Sequence, residues 1–469
     1  MRRPQVQPRD VDCPRGLSGG GEERASRRVF LVQLAAGLAL PALLQGCHSQ
    51  SPSTAERSSG RRDESQAAPD PQRPVPPTAE PTIRVRLGLS PTKQEDIRIG
   101  AARSLLLVGP EGERTQSLVL RGPITIRWTM RGWSITDSGG MIGSAASETV
   151  LTVSAMDAES QPLEVDGRRY PGTFRLVPRT EDAPGAFDIV NSAPLEAYLP
   201  GVVAKELYHH WKFATRAAQA VAARSFACCE IAWFGTRRHF DVSDSQSSQA
   251  YVGVAGHEPS VEAVRATRGV VLHYENFVVP GYYSACCGGV AARAVDVIGP
   301  NPINDVPPLH GHTGRDPCTE APLYRWAIEQ PLHALTRRIN AFGRAQRRKD
   351  LADLSTVVAI DIADRNTHGR PSSYLVRDSA RAEVLVAAEE LRRAVDYTGQ
   401  GLAEPKRRLW SSNVQVEIGG DAARFNGSGH GHGAGMCQYG AEAMARAGES
   451  HEGILRWYYP GATLHAAYS

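Results

Sequence analysis

The run APLEAYLPGVVAKELYHHWKFATRAAQAVAARSFACCEIAWFG, Ala193–Gly235, decides the fold. Its second half places Phe213, Ala217, Ala220, Val221, Arg224 and Cys228 three or four residues apart, the repeat of one helix face. Its many alanines let neighbouring elements pack closely, and Trp211, just ahead of the first turn, reads as an anchor into the core. The first half is also helical in character. There Val202, Val203, Ala204 and Leu207 surround a single carboxylate, Glu206.

Upstream of this run the period is two. TIRVRLGL alternates from Thr82, SLLLVG and ITIRWTM follow with turn residues between them, and GTFRLVPR and AFDIVNS read as a hairpin pair. Residues 82–192 are therefore expected to be mostly β. Downstream come a polar loop (DVSDSQSSQAYVG), a helix (SVEAVRATRG), a strand pair (VVLHYENFVVPGYYSACC) and a loop-rich stretch, 290–326. A helix near 331–343, the strands TVVAIDIADRN and SSYLVRD, the helix AAEELRRAV and the strand NVQVEIGG precede a glycine-rich stretch and two helical segments. Strands first, helices later and no regular βαβ alternation make the fold class α+β, with a helix-containing core over 193–469.

At the N-terminus, SRRVFLVQLAAGLALPALLQGC runs from Ser26 to Cys47. Arg27 and Arg28 precede an apolar run that is short for a bilayer span, which needs about 20 residues, and so reads as a secretory signal. The paired arginines resemble a twin-arginine export signal, and LLQGC resembles a lipobox with Cys47 as the lipidated residue. Residues 1–47 are thus expected to be a lipoprotein signal peptide. Residues 48–81 are Ser/Pro-rich and nearly free of large apolar side chains, a disordered tether. The expected location is the cell envelope, exported and held at a membrane by a lipid anchor, facing the periplasm. A formal charge of +3 over 469 residues, with both signs dispersed, argues against a nucleic-acid binder.

Setting aside Cys13 and Cys47 leaves Cys228, Cys229, Cys286, Cys287, Cys318 and Cys437. Two adjacent pairs do not make a regular disulfide framework, and no CxxC is present for a zinc ribbon.

The stretch GSGHGHGAGMCQYGA, Gly427–Ala441, lacks the Lys-Ser/Thr of a P-loop and does not match GxGxxG. His430 and His432 are two apart, so in an extended segment they face opposite ways and do not suit one metal. The glycines read as a backbone device that allows positive φ and close approach, presenting His432 from a tight turn. For Glu206, apolar surroundings raise a carboxyl pKa and suit a general acid, although a surface glutamate is equally compatible, and Glu196 is as plausible from composition.

Several blocks in order resemble the SpoIID/LytB family: PLEAYLPGVVAKEL with AAQAVAARSFA, DVSDSQSSQAY, YYSACCGGVAARAVDVIG, YRW, and GHGAGMCQYGAEAMA with ILRWYYPGATL. They cover roughly residues 83–469. The resemblance implies a peptidoglycan lytic transglycosylase that cleaves between N-acetylmuramic acid and N-acetylglucosamine and leaves 1,6-anhydro ends, with Glu206 as the one acid/base. A runner-up role is a non-catalytic, glycan-binding enhancer of an N-acetylmuramoyl-L-alanine amidase. The implied partners are peptidoglycan glycan strands and a cell-wall amidase, with no cofactor. Arg224, Asp244, Gln249, Tyr251, Ser284, Asp296, His432, Gln438 and Tyr439 carry over as substrate-binding positions, and the glycine-rich stretch as one wall of the cleft. The chain departs from the family in having serines (Ser243, Ser247, Ser248) where some members have a Cys/His zinc site, so that zinc site is not expected. Cys287, Cys318 and Cys437 fall in neighbouring blocks, where a disulfide, unpaired buried thiols and a metal site all remain open.

Overall fold

The structure is a computed structural model. It describes residues 73–88, 96–100, 103–108, 116–137, 139–155, 161–179, 186–246, 248–399 and 401–469. The export run, Cys47 and most of the 48–81 segment lie outside the described residues, as do Cys13 and Ser247.

The N-terminal strands form two sheets. A seven-stranded sheet runs in the order Val242–Ser243, Thr82–Arg86, Ala186–Pro194, Thr173–Arg179, Leu151–Ala155, Arg103–Val108, Gln116–Arg121. A six-stranded sheet contains Ile124–Thr129, Gly132–Asp137 and Gly140–Ala145 at one end. Period-two burial drives their packing: Ile124, Ile126 and Trp128 are buried while the residues between them are not. Trp133 of the smaller sheet meets Phe187 of the larger edge-on, with ring centroids 5.0 Å apart.

The strand Ala186–Pro194 runs directly into helix α1, Leu195–Glu206, and α2 follows as Phe213–Phe234. α2 is buried on almost every face, from Thr215 to Cys229, because its alanines leave room for neighbours on all sides. One hydrophobic cluster lies on the β side of α2. A second forms against the later helices and the segment around Cys286. The short helices and turns that follow are α3 (Glu258–Ala266) and α4 (Ala294–Val297). A third cluster builds from α5 (Leu332–Ala345), α6 (Lys349–Ala352), α7 (Ala388–Val395) and two three-stranded sheets. The chain then returns through the strand Ala422–Gly427 and the glycine-rich segment into α8 (Gln438–Arg446) and α9 (His451–Tyr458).

The class is α+β. Sequence periodicity does not reveal the strands Trp326–Pro331, Glu383–Ala387 and Ala422–Gly427, which pair with strands far away in sequence or beside them in a meander. Among the described residues no helix is long and apolar enough to cross a membrane.

Candidate active site around Glu206

Three distant segments converge on the last residue of α1. The loop that follows the edge strand Val242–Ser243 is hung on the large sheet by its parallel pairing with Val85 and Arg86. This places Ala250 so that its N–H donates to Glu206 Oε1 at 2.9 Å. From the start of α8, Gln438 Nε2 donates to Glu206 Oε2 at 3.2 Å. From the strand Tyr283–Ser284, the Tyr283 hydroxyl acts on the same carboxylate and favours its charged form.

Burial raises the pKa of Glu206, and the donors from Ala250, Gln438 and Tyr283 only partly counter it. Its place at the C-terminal end of α1, where the helix dipole disfavours negative charge, acts in the same direction. Taken as a whole residue, Glu206 is nevertheless only half-buried. It is a partly accessible acid that holds its proton above the ordinary glutamate range.

Glu196, nine-tenths hidden on the same helix, is the opposite case. Burial alone would raise its pKa, but the bidentate Arg224 guanidinium (2.8 and 2.9 Å), the Tyr468 hydroxyl at 2.7 Å and the Gly269 N–H together hold it below the usual range. Composition leaves the two glutamates equivalent; the structure makes Glu196 a locked carboxylate and Glu206 the adaptable one.

Behind Glu206 lies a polar network. Gln438 Nε2 also reaches Gln219 Oε1 at 3.4 Å, and Gln249 Nε2 donates to the Tyr283 hydroxyl and to the Ala223 carbonyl, both at 3.2 Å. The Tyr198 hydroxyl donates to Gln249 Oε1 at 3.2 Å. Gln249 is fully buried, so it positions Tyr283 rather than reaching outward.

The turn after Glu206 is built by residues the sequence did not flag. The guanidinium of buried Arg216 donates to the carbonyls of Tyr208, His209 and Trp211. Glu442 of α8 accepts from Lys212 N at 2.9 Å and from the Thr215 hydroxyl at 2.8 Å, at the start of α2. One α8 therefore delivers both Gln438 to the acid and Glu442 to the turn. Tyr208, Trp211 and Tyr439 form an aromatic group next to this turn, with ring centroids 5.1 Å apart for Trp211 and Tyr439 and 5.3 Å for Tyr208 and Trp211. The Tyr439 and Tyr208 hydroxyls are 3.3 Å apart.

Other candidate residues fall elsewhere. Arg224 is fully buried, and besides Glu196 it donates to the Val270 and Val264 carbonyls, so it braces α1 instead of facing a sugar. Tyr251 is buried with its hydroxyl on Asn191 Oδ1, and its ring lies close under Gly201. The polar ends of both residues are engaged inside the fold. Half-buried Asp244 accepts from Gly88 N at 2.8 Å and pins the loop to the first strand; burial raises its pKa. Asp296, in α4, has Arg293, Asp305 and His310 as its charged surroundings, a different set from the groups on Glu206.

The glycine-rich segment is a backbone device. Gly429, Gly431, Gly433 and Gly435 all have φ between 65° and 98°. A Cβ on Gly435 would lie 2.0 Å from the Tyr282 carbonyl oxygen, so only glycine permits this approach. The Ser284 hydroxyl accepts from Gly433 N at 3.2 Å. His432 Nδ1 accepts from Ala434 N at 3.1 Å; burial pushes its pKa down to about 4, so it is neutral near pH 7. The bond to Ala434 N ties the His432 ring to the backbone of its own segment. His430 packs on Trp410, away from His432.

The described cysteines are free thiols. Cys287, Cys318, Cys437 and Asp316 bring one ligand atom each to within 4.8 Å of one another, all buried; this is the group among the described residues that could hold a metal.

Residues 184–274, which contain Glu206 and the Ala250 loop, match the SpoIID family, described as Stage II sporulation protein. An uncharacterized protein of Brachyspira hyodysenteriae (strain ATCC 49526 / WA1) is 27% identical over 305 residues, covering 64% of this chain and 73% of that one. The amidase enhancer of Bacillus subtilis (strain 168) is 26% identical over 344 residues, 65% of this chain but 45% of the enhancer. Stage II sporulation protein D of the same strain is 25% identical over 293 residues, 59% of this chain and 76% of that protein.

Proposed function

From a chain that carries a SpoIID-family segment at residues 184–274, we propose a peptidoglycan lytic transglycosylase with Glu206 as its single acid/base. The family match and the named relatives support a cell-wall role. The finer reading rests on one observation: a half-buried glutamate whose pKa is raised by burial and whose carboxyl accepts from the Ala250 N–H and the Gln438 amide.

A neutral Glu206 donates its proton to the glycosidic oxygen as the bond to C1 breaks. The carboxylate left behind is stabilised by the Ala250 N–H, the Gln438 amide and the Tyr283 hydroxyl. It then takes the proton from the muramic acid 6-hydroxyl as that oxygen closes on C1. Hydrolytic glycosidases use two carboxylates, one of them to activate water or attack the sugar. The groups acting most strongly on Glu206 include no second carboxylate, which suits a reaction that consumes no water. The half-buried rings of Tyr208 and Tyr439, backed by buried Trp211, offer apolar surface for sugar stacking near the acid.

Digestion of intact sacculi and of peptide-free glycan by the full-length chain, read by mass spectrometry, tests this. Fragments ending in 1,6-anhydro-muramic acid support it, and reducing ends or no fragments count against it. A second reading, a glycan-binding enhancer of an amidase, draws on the similarity to the amidase enhancer. It gains if sacculi are bound without cleavage and a cell-wall amidase is stimulated. The export signal, the Cys47 lipid anchor and the periplasm-facing location remain part of this proposal; globomycin-sensitive processing at Cys47 with radiolabelled palmitate tests them.

A further inference from the structure

We propose that Cys287, Cys318, Cys437 and Asp316 bind one zinc ion, which fixes the start of α8 and with it the wall that faces Glu206. The four ligand atoms come from three separate parts of the chain and lie within 4.8 Å of one another in a buried site. The Cys287 and Cys318 sulfurs are 3.7 Å apart. Zinc–thiolate bonds of about 2.3 Å arranged tetrahedrally put sulfurs about 3.8 Å apart, whereas a disulfide bond is about 2.05 Å long. With all four ligand atoms within 4.8 Å of one another, the group suits a single ion better than a cluster, whose ligands on different irons stand farther apart.

The surroundings are those of ligands held for a metal. Cys437 Sγ accepts from Cys287 N at 3.3 Å and from Gly440 N at 3.4 Å, the latter in the first turn of α8. N–H donors of this kind stabilise thiolates and orient them. Asp316 is oriented in the same way. Its Oδ1 accepts from Cys318 N at 3.0 Å, and its Oδ2 accepts from the Tyr458 hydroxyl at 2.7 Å and faces His312 Nε2 at 3.3 Å. Gly440 makes the approach possible: a Cβ there would lie 2.1 Å from both Asp316 Oδ1 and the Tyr458 hydroxyl oxygen.

Charge supplies an independent observation. Three thiolates and a carboxylate around a divalent ion carry a net negative charge. Arg370, 1% exposed, donates to the Cys287 carbonyl at 2.8 Å, while its Nε and NH2 atoms have no hydrogen-bond partner among the described residues. A buried guanidinium is costly without opposing charge; the Glu389 carboxylate supplies some of it, and a zinc–thiolate group beside Cys287 would add more on the side of the unpartnered atoms. The zinc ligands belong to segments other than the serine-bearing loop at Ser243 and Ser248.

The sequence consequence is direct. Cys437 precedes Gln438, so an ion held by Cys437 fixes the backbone from which Gln438 reaches Glu206.

The test is the metal content of the full-length chain, produced with zinc present and purified without thiol reagents. We expect about one zinc per chain, loss of most of it in Cys318→Ala, and retention in Cys228→Ala, whose thiol lies elsewhere. Because Cys318→Ala could fail to fold, cobalt replacement in the wild-type chain provides a second readout: strong visible d–d bands with sulfur-to-cobalt charge transfer are expected of a tetrahedral thiolate site. Less than about a tenth of an equivalent of zinc together with absent cobalt–thiolate bands would overturn the proposal. So would a Cys287–Cys318 disulfide found by non-reducing peptide mass analysis, or a folded Cys318→Ala chain that keeps its zinc. None of these readouts depends on glycan cleavage.

Discussion

Gln438 Nε2 lies 3.2 Å from Glu206 Oε2 and 3.4 Å from Gln219 Oε1, so one amide from α8 holds the candidate acid against the central helix. A donor to a carboxylate favours its charged form. Gln438→Leu removes that donor and raises the Glu206 pKa further. Where activity needs the protonated acid, it falls as pH rises through that pKa; the alkaline limb of the kcat/KM profile is therefore expected at higher pH in the variant. An unchanged limb would mean that Gln438 does not act on the titrating group.

Glu206 also has a stability signature. Its folded pKa is raised above the unfolded value, so the native state binds the proton more tightly. Stability is then lost as pH climbs from the ordinary glutamate range to the raised pKa, and above that the full cost of the buried charge is present. Glu206→Gln removes this cost. Thermal melts should show the variant gaining Tm relative to wild type between pH 4 and pH 8, with the gain growing as pH rises; about one acidic group's worth of linkage is the ceiling.

Arg224 and Glu196 form the brace at the other end of α1. Both are buried, so Arg224→Met leaves a carboxylate without its cation. A loss of about 3–5 kcal/mol in urea unfolding is expected, with Tyr468 and Gly269 N as the remaining partners. A loss under about 1 kcal/mol would show that the pair contributes little.

Gly435 sits at φ +65°, with the Tyr282 carbonyl where a Cβ would go. Gly435→Ala should destabilise the chain by about 1–3 kcal/mol from backbone strain, with the clash in addition. Because the segment carries Gln438, activity should fall along with the melting temperature.

The change of period at Ala193 was legible because helix and strand repeats differ in plain residue spacing, and the alanine face of α2 is local information. The apolar setting of Glu206 was legible for the same reason. What the sequence could not carry is the pairing of distant side chains. Arg224 reads as a helix residue of either role until Glu196, 28 positions away, is seen against it. Glu442 caps the start of α2 from 230 residues along the chain, and no spacing rule reaches so far. The family resemblance points to Ser284 and not to its neighbour Tyr283, whose hydroxyl is the one that acts on the acid. The strand Ala422–Gly427 was hidden because AARFNG is short and small, and it earns its place only by pairing on both sides.

The central claim is tested most directly by counting 1,6-anhydro-muramic ends released from sacculi by the wild-type chain and by Glu206→Gln, with folding of both verified by circular dichroism and binding to sacculi measured in parallel. The account predicts anhydro ends from the wild type and a fall of about 10²–10⁴-fold in the variant, with binding retained. Equal product from both chains, or none from a folded wild type that binds glycan, would contradict it.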